Sequence, residues 1–71
     1  MSYQEEWEHL IKRIKELRIA KGMSIQALAD YANMDRPNIS RIEAGRVRGI
    51  TFETICRIAE VLEVSPKELM R

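Results

Sequence analysis

Arg36, Asn38 and Arg41 bring two guanidinium groups and a carboxamide into one short stretch of the chain. A guanidinium is a planar fork of donors that fits the O6 and N7 acceptors of guanine. A carboxamide offers one donor and one acceptor, which fit N7 and N6 of adenine. Pro37, between them, has no side-chain hydrogen bond to give and adds only packing, for example against a thymine methyl. Arg46 and Arg48 follow, and Glu43 is the only acid between Arg36 and Arg48. Glu5, Glu6 and Glu8 make the other end acidic, with no lysine or arginine before Lys12. The net charge of +1 is not by itself the mark of a polyanion-binding protein, so the uneven distribution has to carry that reading. An ordinary solvated surface can be uneven too, and the spacing of the apolar residues decides between the two.

The elements that must hold these groups read as helices throughout. Ser2 with Glu5 is a capping-box pair that opens a first helix, and Trp7, Leu10, Ile11, Ile14 and Leu17 then recur every three or four positions on one face. Gly22 ends it, and its acidic start and basic end suit the helix dipole. Ser24 caps a short second helix with Ile25, Leu28 and Ala29 turned inward, stopping near Asn33. Asp35 is expected to cap a third helix over residues 36–44, with Pro37 in its first turn, Ile39 and Ile42 facing inward and Gly45 as its stop. After the basic loop, Thr51 opens a fourth helix bearing Phe52, Ile55, Cys56, Ile58, Ala59, Val61 and Leu62. This set is apolar enough for a central position. Ser65, Pro66 and Glu68 start a last turn holding Leu69 and Met70. No alternating apolar run suggests a strand. The expected fold is all-α with five helices, residues 1–9 forming an extension of the first helix and residues 10–71 the folded unit.

The stretch from Ser24 to Gly45 is then helix, tight turn, helix. Small Ala29 stands where the two would cross, and Arg36, Pro37, Asn38, Ser40, Arg41 and Ala44 lie on the outward face of the second. In a helix-turn-helix, that helix is the one that enters a major groove. At this point the chain resembles the Cro/CI family of phage repressors and bacterial regulators, also called XRE-type. The resemblance is carried by Ile14, Leu17 and Arg18, by Lys21-Gly22-Met23-Ser24, by Leu28-Ala29, by Ile39-Ser40-Arg41-Ile42-Glu43 with Gly45, and by Ile58-Ala59 through Leu62-Glu63-Val64-Ser65. It extends from Leu10 to Leu69. The turn Asn33-Met34-Asp35-Arg36 resembles, more narrowly, the controller proteins of restriction-modification systems.

The resemblance implies a lambda-repressor-like fold and a sequence-specific DNA-binding regulator, expected to be a repressor and to act as a homodimer on a pseudo-palindromic operator in double-stranded DNA. Arg36, Pro37, Asn38 and Arg41 then look like base-edge positions, and Ser24, Ser40, Arg46 and Arg48 like backbone-contacting ones. Arg18 and Glu43 look like a partly buried scaffold ion pair. Where the family usually places a glutamine that reaches the DNA backbone, this chain has Ile25. Gln26 is the nearest replacement, turned about 100° around the helix. The dimer contact is expected at Leu62, Val64, Leu69 and Met70, residues that would equally serve to close the core. Trp7 and Tyr3 either lengthen the first helix over the core or meet a second subunit, and the acidic end is expected away from phosphate.

Other chemistry finds little support. A lone cysteine, Cys56, rules out an internal disulfide and a cysteine-based zinc site, and is read as a buried structural thiol in a reducing, cytoplasmic setting. His9 beside Glu8 has no nucleophile pattern near it. No enzyme activity, metal, cofactor, membrane span or small-molecule ligand is expected. The alternative from another class is a protein-interaction adaptor or antitoxin-like module on the same fold, suggested by Ile25 in the backbone-contacting position.

Overall fold

In the computed structural model, residues 3–47 and 49–71 are described. They form five helices: α1 (Tyr3–Ala20), α2 (Ile25–Tyr31), α3 (Arg36–Glu43), α4 (Phe52–Leu62) and α5 (Pro66–Leu69). The expected all-helical order is therefore present. Ser2 and Arg48, given roles above as helix cap and phosphate contact, lie outside the described residues.

The helix starts follow from hydroxyl caps. Ser24 accepts from the Ala27 N–H at 3.0 Å, Thr51 from the Thr54 N–H at 3.1 Å, and Ser65 from the Glu68 N–H at 3.1 Å, with the Glu68 carboxylate accepting in return from the Ser65 N–H. Each cap satisfies an amide that the helix leaves unpaired. Asp35 departs from this pattern. It occupies the N-cap position of α3 with extended backbone, but its side chain makes no capping hydrogen bond.

The stops share one device. Gly22, Asn33, Gly45 and Glu63 all take left-handed backbone, with φ of 70°, 57°, 72° and 61°. After each, the next N–H returns to a carbonyl inside the finished helix: Met23 to Arg18, Met34 to Ala29, Arg46 to Arg41 and Val64 to Ala59, at 2.8–3.1 Å. This closure reverses the chain within two residues and satisfies carbonyls that would otherwise be orphaned. It keeps the turn between α2 and α3 short, so that the two helices pack on each other with Ala29 of α2 fully buried.

One core joins the helices. Ile14, Leu28, Ala29, Ile39, Ile58, Ala59 and Leu69 are completely covered. α1 packs on α3, α4 and α5, while α2 packs on α3 and α4. Trp7 is half-buried against this core, so α1 runs unbroken over it from the acidic extension. Among the described residues, no helix is long and apolar enough to cross a membrane.

Three expectations need correction. Leu62 and Leu69, two of the four residues named for a dimer contact, are 2% and 0% exposed. They close the core beneath α4 and α5 and offer no surface to a partner. Val64 is half-buried and Met70 exposed, so only these two keep that option. Phe52 is 64% exposed although it belongs to the apolar set of α4. It sits at the first position of the helix, a turn before Ile55, the first residue of α4 to enter the core. Cys56 is half-buried rather than enclosed.

Candidate nucleic-acid interface

The third helix buries little. Ile39 and Ile42 are the two residues of α3 that enter the core, and they lie three apart, on one stripe of the helix. Geometry then turns the other positions outward, apart from Glu43 at the end of the helix. Arg36, Pro37, Arg41 and Ala44 are exposed, and Asn38 and Ser40 are half-buried. Pro37 falls in the first turn, where its missing N–H leaves no bond unmade. The polar face seen in the sequence is a continuous outer surface in the fold.

Its side chains are not independent. The Arg41 guanidinium donates to the Asn38 carboxamide oxygen one turn earlier. On α2, the Gln26 carboxamide donates to Asp30 at 2.8 Å. Gln26 is thus directed along its own helix toward a carboxylate. Ile25 is half-buried and packs on the core cluster. Ser24 is exposed, its hydroxyl oxygen engaged as the α2 cap.

Behind the outer face, Arg18 of α1 meets Glu43 at the end of α3. The Arg18 Nε donates to Glu43 Oε2 at 2.7 Å and Nη2 donates to Oε1 at 3.0 Å. Nη1 donates to the Met23 carbonyl at 2.7 Å. Both side chains are nearly covered, at 11% and 5% exposure. A fork-to-fork pair of this kind fixes angle as well as distance. It ties the far end of α3 to α1 and to the turn that leads into α2.

Past that end, the loop carries exposed Arg46 along a groove between α1 and the start of the α3–α4 connection, shared with Trp7, Glu8, Lys12, Lys15 and Val47. Lys12 and Lys15 carry no functional signal in the sequence itself. Their spacing of three marks a shared helix face, but nothing local to the sequence says that this face meets Arg46. Glu8 lies in the same groove, so part of the acidic end borders the basic loop instead of standing clear of it.

With this geometry the chain can be set beside known proteins. The sequence profile of a helix-turn-helix family, HTH_3, matches residues 14–69. The chain belongs to that family. The Cro/CI-type resemblance and the lambda-repressor-like fold are accordingly borne out. This helix-turn-helix protein is similar to the restriction-modification controller protein C.Esp1396I, with 33% identity over 99% of this chain and 90% of that one, at a TM-score of 0.82. A second controller protein, C.AhdI from Aeromonas hydrophila, is 32% identical over 92% of this chain and 97% of its own, at a TM-score of 0.83. SinR from Bacillus subtilis, a master regulator for biofilm formation solved in complex with DNA, is 29% identical over 87% of this chain and 98% of the chain matched, also at 0.83. The helix-turn-helix chain spans 58% of the chain it matches in a complex of the SinR and SinI proteins. No curated protein matches it by sequence.

Proposed function

We propose that this helix-turn-helix protein is a DNA-binding transcription regulator that acts as a homodimeric repressor by occupying a pseudo-palindromic promoter site. Two copies of α3 enter successive major grooves with half-sites about 34 Å apart. The observation that carries this reading is the division of α3 into a buried pair, Ile39 and Ile42, and an outer face of Arg36, Pro37, Asn38, Ser40 and Arg41. Arg36, Pro37, Asn38 and Arg41 meet base edges. Ser24, Gln26, Ser40, Arg46 and Arg48 hold the sugar-phosphate backbone and set the register. The likeness to SinR, solved bound to DNA, and to two restriction-modification controller proteins supports the assignment. Residues 1–9 serve as an extension of the first helix and residues 10–71 as the DNA-binding unit, with Val64 and Met70 at the edge of the dimer contact.

A second reading, an adaptor or antitoxin-like module on the same fold, draws on two features of α2. Ile25 is turned to the core and Gln26 is held by Asp30, so the start of α2 offers the backbone fewer donors. Selection from a random pool of duplex DNA separates the two. Enrichment of a two-fold symmetric site is the expected result, and recovery of no sequence preference would assign the protein to the adaptor class.

A further inference from the structure

The hydrogen bond within α3 bears on which base the protein reads. A free asparagine reads adenine by donating from its amide nitrogen to N7 while its oxygen accepts from the N6 amino group. In this protein the Asn38 oxygen already accepts from the Arg41 guanidinium, one turn away on the same outer face. An adenine approaching Asn38 would bring its amino donor to an oxygen with one lone pair left, and with a fixed positive charge beside it. What the pair still presents outward is the Asn38 amide hydrogens together with the remaining guanidinium hydrogens of Arg41. Donors dominate this set, and the one acceptor left, the second lone pair of the Asn38 oxygen, lies beside the guanidinium charge. In the major groove, guanine is the base that shows two adjacent acceptors, O6 and N7, and no donor.

We propose that Asn38 and Arg41 form a single donor-rich reading unit, in which Asn38 orients Arg41 and the pair selects guanine over adenine at the base it faces. This rests on the proposed reading of DNA by α3 and deepens it. Arg36 is not part of the unit: among the described residues, Asn38 is the one side chain to which Arg41 donates a hydrogen bond, so the preference belongs to the pair and not to the basic face as a whole. In this assignment Asn38 is a positioning residue as well as a contact, and its loss is felt through Arg41.

The test is selection from a random duplex pool with the full chain, followed by titration of the enriched site and of the same site with the relevant guanine changed to adenine. Wild type, Asn38→Ala, Arg41→Ala and the double variant are compared, with helix content checked for each. The expected result is a guanine at one position of each half-site whose preference, about tenfold or more in Kd, falls in both single variants, the double variant being no worse than Arg41→Ala alone. Asn38→Asp keeps the acceptor and is expected to retain more of the guanine preference than Asn38→Ala. Two results would overturn the proposal while leaving DNA reading intact: an adenine at the position that Asn38→Ala relaxes, or independent, multiplying effects of the two substitutions. Absence of any enriched site would remove the proposed function and this inference together.

Discussion

Arg18 and Glu43 are joined through both carboxylate oxygens and one edge of the guanidinium, Nε and Nη2, at 2.7 and 3.0 Å, across the gap between the first and third helices. Breaking a covered pair from one side strands the other charge, at a cost of about 3 kcal/mol. Glu43→Ala is therefore expected to lower the melting temperature by on the order of 10 °C. Exchange of both residues for apolar ones, Arg18→Met with Glu43→Leu, leaves no stranded charge and should melt above either single variant. Calorimetry of wild type, Glu43→Ala, Arg18→Met, Glu43→Leu and the double exchange measures this, and an unchanged melting temperature in Glu43→Ala would deny the pair its structural role.

The unequal caps make a second contrast. Ser24 holds an amide of α2, whereas the Asp35 side chain holds none at α3. Ser24→Ala should cost about 1 kcal/mol in denaturant unfolding, and Asp35→Ala distinctly less. Equal losses would mean that Asp35 caps in solution.

Base contacts and phosphate contacts respond differently to salt. Arg36→Ala is expected to lose about 1–3 kcal/mol at the selected site and to relax one base position. Arg46→Ala should weaken all sequences alike and reduce the slope of log K against log salt by about one. Titrations on cognate and scrambled duplexes at several salt concentrations distinguish them, and a sequence-dependent loss in Arg46→Ala would reverse its assignment.

Acid should weaken one surface tie. The Lys21 ammonium, through its hydrogen bond and its charge, holds the Glu63 carboxyl below its ordinary value of 4.5. A carboxylate lowered on folding adds stability that is complete above the unfolded value and lost as pH falls through the folded one. Folding stability of the wild type should therefore fade below about pH 4.5, with Glu63→Gln losing less over the same interval. Parallel curves for the two proteins would count against the contribution of this pair.

Most of the architecture could be read because its punctuation is local. Ser24, Thr51 and Ser65 announce helix starts through their own hydroxyls, and Gly22, Asn33 and Gly45 announce stops because they tolerate left-handed backbone. Glu63 adopts the same backbone with no such signal, since the closure from Val64 to Ala59 imposes it. Burial was harder to read. Leu62, Val64, Leu69 and Met70 look alike as apolar residues near the end of the chain, and only the docking of α5 on α1 and α4 separates the covered from the exposed. The groove that unites Lys12, Lys15 and Arg46 is equally tertiary. The link between Asn38 and Arg41 did have a cue in their spacing of three, but its direction depends on rotamers.

Because α3 is held to the scaffold by two isoleucines and by Glu43 at its far end, its exposed positions Arg36 and Arg41 take little part in anchoring it. New side chains can be installed at exposed Arg36 or Arg41 with small effects on folding, and on the proposed function the same framework would be re-addressed to another operator without rebuilding the protein. If α3 reads DNA as proposed, paralogues that diverge along this one face could coexist in a cell, each answering to its own promoter.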